Sequence, residues 1–435
     1  MRTQPLLFVI RSLAIVVIAV TEVSGQTVLS DKKKIAEAEN LFDSPTGDES
    51  SCEVLPIWPH FIFSLRLQAG YLARLPLAQS QVWGQKCVAL ARITPIKGNG
   101  NPVYLSRVVQ LRSEGNSDHE AEVTGSYWLG TGRYSVKFLM FDDRGDACRK
   151  EWQIDARLSS DVRNFKPVLA PGTVKGVLSN GGGRAAGAKP VGRLTILLHA
   201  ASVLQLQTLL RPSDKAMLLD GMVALMDEMP ARWVRLVVFN LEQQKEILRR
   251  DGFTFDALPE VAQALNAVQP ATVDYRALQH PGSTADFIQN LIKQEVHAPE
   301  PSDTVVFLGP RSIYKVKPSS SFALPPDAKQ QFFYLVCEPT GILRTSSRSA
   351  SGWGAQGLTM GFPPIVHGET TPQPNPTVPP ILPDDVQWTN YGPNHGPDSI
   401  EYAVDQLRGK TVQVDSVESF ADAVNRIVRL SRANR

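Results

Sequence analysis

The chain has 435 residues, of which 43% are hydrophobic and 20% charged. At about 150 residues per domain this length allows roughly two or three domains, and the composition gives them real cores. The 45 basic and 43 acidic residues leave a formal charge of +2, which argues against the strongly basic face of a nucleic-acid protein and leaves a protein partner or a small charged patch open.

Residues 1–25 read as a secretory signal peptide. Arg2 and Arg11 precede the apolar stretch Leu13–Val20, and Val23 and Gly25 occupy the small-residue positions before a cut at Gln26. The apolar run is short for a bilayer span, and Arg11 divides the longer apolar region. No later segment is apolar enough to span, so the chain reads as exported, periplasmic or secreted. An uncleaved N-terminal anchor is the alternative. Residues 26–51 follow as a polar segment expected to be disordered, with "DKKK" as a solvated tail.

Export permits disulfides. Cys52, Cys87, Cys148 and Cys337 allow three full pairings. None forms a C-x-x-C pair, which removes the usual zinc and thioredoxin patterns. Cys337 lies inside the apolar run "FFYLVC" and reads as inert core. Cys52 with Cys148 is the expected bridge, since it would tie the first segment of one domain to its last strand.

Residues 52–160 carry short strands. "FIFSLRLQ", "KCVALARIT", "VYLSRVVQLR", "RYSVKFLMFD" and "ACRKEWQID" are rich in β-branched and aromatic residues with partial alternation. Lys150 spoils the alternation of the last. "DDRG", Asp142 to Gly145, is a turn that joins the last two into a hairpin. Such spacing predicts an antiparallel β-sandwich. "GTGRYSVKFLMFDDRG" resembles the penultimate strand region of immunoglobulin-like domains, with its Gly-x-Tyr entry, alternating strand and Asp-Gly turn.

Residues 161–190, ending in "SNGGGRAAGAKP", read as a Gly/Pro-rich linker. "GGGR" is no phosphate cradle, because no G-x-x-x-x-G-K-[ST] follows. From residue 191 the period changes. "RLTILLHA", "WVRLVVFN", "DTVVFLG" and "QFFYLVC" are near-continuous apolar strands, as expected when both faces are covered. Helices are predicted from Pro212, with Leu218, Met222, Leu225, Met226 and Met229 on one face, from Leu258 and from Ser283. Two more, "DSIEYAVDQLRG" and "SVESFADAVNRIVRL", close the chain. Strand and helix alternate, so residues 191–435 form an α/β domain with a Rossmann-like parallel sheet. The Pro-rich stretch 362–397 interrupts it as an extended loop. Just before it, "SGWGAQGLTMGF" is either an exposed binding loop or a turn-rich connection.

This second half resembles a von Willebrand factor type A domain, most nearly those of exported bacterial proteins in which it follows a β-rich segment. The matching pieces are "RLTILLHAAS", "SDKAMLLDGMVALMDEM", "WVRLVVFN", "ATVDYRALQ", "DTVVFLGPRS" and the closing helix, strand and helix. The resemblance implies a metal-ion-dependent adhesion site with an Asp-x-Ser-x-Ser turn, a Thr and a later Asp. Here the Asp position is His199, the Ser positions are Ala201 and Val203, Thr272 matches, and the later Asp falls at Gly309 or Pro310. A hard Mg²⁺ needs more oxygen ligands than one hydroxyl, so no metal and no cofactor are expected.

Ligands of open α/β sheets bind beyond the carboxyl ends of the strands. The binding-surface candidates are therefore His199, Ser202, Thr272, Gly309 and Arg311. The reading that follows is a non-enzymatic binding or scaffolding protein with a protein partner in the envelope or outside the cell. Two alternatives stand beside it. His199 and Ser202 could serve a secreted hydrolase as base and nucleophile, although "LHAASVL" is not a G-x-S-x-G elbow. A rearranged site could still hold a metal, although His60, His119, His280, His297, His367 and His395 show no paired spacing.

Overall fold

A computed structural model describes residues 26–44, 52–76, 86–97, 100–110, 120–143, 147–158, 167–177, 192–203, 210–229, 231–268, 283–312, 330–338 and 398–433. The signal peptide, residues 178–191 of the linker, Thr272 and the Pro-rich stretch lie outside them. The described residues form two compact units. The first holds the chain up to Ile62 and from Arg66 to Val177, the second Phe63–Leu65 and everything from Gly192. Together they are a multidomain mixture of helix, antiparallel sheet and mixed sheet.

Two antiparallel sheets build the first unit. One has the order β1 (Thr27–Val28), β5 (Val103–Gln110), β4 (Lys86–Pro95), β7 (Gly132–Asp142), β8 (Ala147–Ala156); the other has β2 (Glu53–Phe61), β3 (Leu67–Pro76), β6 (Glu120–Leu129), β9 (Val174–Gly176). One core draws on strands of both sheets, with the rings of Tyr71 and Phe138 4.6 Å apart. A Cβ on Gly125 would strike the Tyr71 ring at 2.3 Å, so β6 needs glycine where that ring lies across it. The Tyr134 hydroxyl donates to the Gly130 carbonyl at 2.7 Å, tying the start of β7 to the end of β6. Cys52 and Cys148 form a disulfide with Cα atoms 6.1 Å apart, linking the start of β2 to β8. Cys87 and Cys337 are free and buried.

The polar segment after Gln26 departs from expectation. It forms helix α1 (Lys32–Asp43), capped by Asp31, whose side chain accepts from the Lys33 and Lys34 amides. Ala38 and Phe42 of α1 pack against Val88, Leu90, Tyr104, Leu139, Phe141 and Ala147. Arg149 donates to the carbonyls of Leu41, Phe42 and Ser44, satisfying the open end of the helix. This second apolar face explains why β4 and β7 alternate only partly: both of their faces are covered.

Two further corrections concern strands, and Lys150 finds its reason. The predicted strand "FIFSLRLQ" spans the β2–β3 turn, with Leu65 at φ 58°. The true strand β2 carries Pro56 and Pro59, which fits its place at a sheet edge, where a missing donor costs no ladder bond. The expected linker at 161–190 is shorter, because Val174–Gly176 pairs with Tyr127–Leu129 of β6. Lys150 sits opposite Phe138 on β8, and as an inward-parity charge on an edge strand it discourages pairing with another chain.

The second unit has one mixed sheet in the order β12 (Lys245–Asp251), β11 (Trp233–Asn240), β10 (Arg193–His199), β13 (Thr304–Gly309), β14 (Gln331–Cys337), β15 (Lys410–Val414). All neighbours are parallel except β12 with β11. Helices α4 (Ser283–Val296) and α5 (Ser399–Gln406) cover one face through Ile288, Leu291, Ile292, Ile400 and Val404. On the other face, Gly221 of α2 (Pro212–Glu228) lies close to Leu308 of β13 and to Phe420 of α6 (Val417–Ala433). A short helix α3 (Leu258–Asn266) completes the unit. At the amino ends of the strands, buried Glu295 accepts from Thr195, Arg235 and Arg249. Among the described residues no helix is long and apolar enough to cross a membrane.

Candidate functional site

The carboxyl ends of β10, β13 and β14 converge, and bonds between remote side chains and backbone seal that edge. β10 delivers His199 to its last position. The imidazole is 1% exposed. It stacks on Phe239 with centroids 5.3 Å apart, and its Nδ1 donates to the Pro310 carbonyl at 3.1 Å. Since that carbonyl only accepts, Nδ1 carries the proton and Nε2 keeps a lone pair, which has no hydrogen-bond partner among the described residues. Burial lowers the imidazole pKa to about 4, the Pro310 bond pulling the other way, so the ring is neutral at physiological pH.

Gly309 lies against this histidine. A Cβ there would come within 2.7 Å of the His199 Cβ and carbonyl oxygen. The two strand ends are thus in backbone contact, and glycine is required by that approach. Beyond it, the Tyr334 hydroxyl lies 3.0 Å from both the Pro310 carbonyl and Asp398 Oδ2, so two acceptors compete for one proton. Asp398 also accepts from the Ser312, Ile400 and Glu401 amides, as the N-cap of α5. Burial still raises its pKa to about 6 against these bonds. His199, Pro310, Tyr334 and Asp398 form one chain of contacts across β10, β13, β14 and α5.

Ser202 belongs to a different cluster. Its hydroxyl donates to Asp214 Oδ2 at 2.8 Å. Asp214, fully buried in the first turn of α2, is gripped by the Arg211 guanidinium through Nε at 3.1 Å and Nη2 at 2.8 Å. The carboxylate also sits where the helix dipole favours negative charge. His199 and Ser202 are not each other's hydrogen-bond partners. Arg311 is held by Glu338 at 2.9 Å and Glu401 at 3.4 Å, with its side chain 13% exposed. Of the sequence candidates, Ser202 and Arg311 keep partial exposure, His199 and Gly309 are buried, and Thr272 lies outside the described residues.

Asp214, Tyr334 and Asp398 are the residues that sequence reasoning passed over. One had a readable signal: Asp398 and Glu401 in "DSIE" have the spacing of a capping pattern ahead of an apolar run. Among the described residues no group of three or more His, Cys, Asp and Glu could hold a metal ion. The magnesium that the resemblance implies does not fit the donors among the described residues. His199 is committed to Pro310, Ser202 to Asp214, and Ala201, Val203, Gly309 and Pro310 carry no side-chain oxygen. In the sandwich, a cleft of about 520 Å³ is lined by Lys97, Arg133, Asp155 and Arg157 beside the Gly132 and Gly172 backbone, with Asp155 and Arg157 paired.

Compared with known proteins, the chain matches no family model and no curated protein.

Proposed function

We propose that the chain is exported, loses its signal before Gln26, and binds a protein partner without catalysis. In this reading an immunoglobulin-like sandwich precedes a von Willebrand A-like domain that has no working adhesion metal site. The observation that carries it is the seat of His199. At the position of the family's aspartate stands a buried neutral ring bonded to Pro310, with Gly309 packed against it. Among the described residues the nearby carboxylates, Asp214 and Asp398, are already bound by other groups, which leaves no anionic oxygen to spare for a divalent cation, so recognition there works through shape and ordinary polar groups.

Several features support the fold assignment. Numbered within its own unit, the α/β sheet runs 3-2-1-4-5-6, the doubly wound order, with its antiparallel strand at the edge. The sandwich groups β2-β3-β6 against β8-β7-β4, as immunoglobulin-like domains group their strands, and Tyr134 bonds the backbone four residues upstream like a tyrosine corner. The disulfide suits an oxidising compartment. The hydrolase alternative is weakened by the separate commitments of Ser202 and His199.

The test uses the full mature chain with a photo-crosslinking residue at Ser202 or Val203, and a control at half-buried Lys137 of the sandwich. A single partner captured from the sheet edge, unaffected by chelator, supports the reading. Capture only from the control, or calorimetric binding of Mg²⁺, Ca²⁺ or Mn²⁺, overturns it. Esterase activity that Ser202→Ala abolishes would transfer the assignment to a hydrolase.

A further inference from the structure

Gln26 occupies an unusual setting in the first unit. Its side-chain Oε1 accepts from the Ser126 backbone N–H at 2.9 Å, and its buried Nε2 has no hydrogen-bond partner among the described residues. The setting follows from topology. β9 ends at Gly176 opposite Tyr127, so the Ser126 amide lies just past the end of that ladder. β1 begins at Thr27, paired with Ser106, and brings the preceding side chain to that amide.

We propose that Gln26 is a self-modifying terminus: once signal removal frees its α-amine, it closes to a pyrrolidone carboxylate with the Ser126 N–H as oxyanion donor. The site rests on the export reading above. The α-amine nitrogen attacks the side-chain Cδ, a new N–Cδ bond forms, and the Cδ–Nε2 bond breaks. Nε2 leaves as ammonia, taking the proton that the amine gives up, and no oxidant, reductant or co-reactant is needed. Negative charge develops on Oε1 in this step, and a donor 2.9 Å from that oxygen is placed to stabilise it. The leaving nitrogen has no hydrogen bond to lose. The reaction also removes the unsatisfied buried Nε2 donor, a feature native proteins keep rare.

The experiment is mass analysis of the N-terminal peptide from the full chain made with its own leader and followed over time after purification. The folded protein is compared with the same protein in denaturant and with a synthetic peptide of residues 26–31. The expected result is a chain that starts at residue 26, lighter by one ammonia, closing on the order of tenfold or more faster when folded. A chain that starts at Gln26 but closes no faster than the peptide overturns the site and leaves the export reading standing. A chain that starts elsewhere overturns both, because the amine is then not on Gln26.

Discussion

His199 imposes a pH slope on the stability of the α/β unit that one substitution should remove. Burial lowers its pKa from 6.5 to about 4, so between those values the folded chain binds fewer protons than the unfolded one. The contribution of the neutral ring is present above pH 6.5 and lost as pH falls through about 4. At 1.36 kcal/mol per pKa unit, this is on the order of 3 kcal/mol. Asp398 has the opposite sign. Burial raises its pKa from 3.8 to about 6, so its contribution is present below 3.8 and lost as pH rises through about 6, again on the order of 3 kcal/mol. Between about pH 4 and 6 the two slopes largely cancel, and the sheet edge is buffered against acid.

His199→Gln removes one side of that balance. The stability difference between the native chain and this variant should grow by on the order of 3 kcal/mol from pH 4 to 6.5, whatever the other groups do, because they cancel in the difference. The two free thiols provide the assay. Cys337, 1% exposed, reports the α/β unit, and Cys87, fully buried, reports the sandwich. Urea unfolding is followed by labelling each thiol with a pyridyl disulfide and reading the peptides by mass. A pH-independent difference at Cys337, or an equal change at Cys87, would refute the reasoning.

Glu295→Ala leaves Arg235 and Arg249 without their buried carboxylate, and the urea midpoint at Cys337 should fall by the equivalent of roughly 3–5 kcal/mol. Replacing Cys52 and Cys148 by serine opens a bridge spanning 96 residues; chain entropy sets the loss at about 4.7 kcal/mol, read at Cys87. Arg149→Ala removes three bonds to the last carbonyls of α1, so α1 should loosen by about 1–2 kcal/mol and limited proteolysis should cut first within residues 26–44. Gly309→Ala forces a methyl against the His199 backbone, with an expected cost of roughly 1–3 kcal/mol and a lowered Cys337 midpoint.

What the sequence made legible follows from which faces are covered. "LTILLH", "WVRLVVF" and "TVVFLG" are apolar throughout because helices lie on both sides of their sheet, and such runs read plainly as buried strands. Edge strands were harder. β12, "KEILRRD", pairs only with β11 and can carry charge, and β2 tolerates two prolines for the same reason. Helix α1 was hidden by Lys32, Lys33 and Lys34, which oppose the dipole in its first turn; packing of Phe42 and the Arg149 cap outweigh them. At the site, the position of His199 could be read but not its surroundings. Its partner Pro310 is 111 residues away, and Tyr334 meets Asp398 across 64. Contacts at such separations leave no period in the chain.

The same contacts explain why one substitution would not build a metal site at this edge. A carboxylate at position 199 would face the Pro310 carbonyl, an acceptor that cannot satisfy it. The second anionic position has no room either, because a Cβ at Gly309 would strike position 199. Asp398 and Asp214, the nearby buried acids, already have their oxygens bound by amides, Tyr334, Arg211 and Ser202. Drawing either towards a cation would strip a helix of its cap or leave the half-buried Arg211 guanidinium unpaired, and both losses cost more than a surface change. The committed acids and the closed strand ends are therefore one coupled arrangement. Among the described residues it leaves Ser202, Val203 and part of Arg311 as partly exposed groups at this edge.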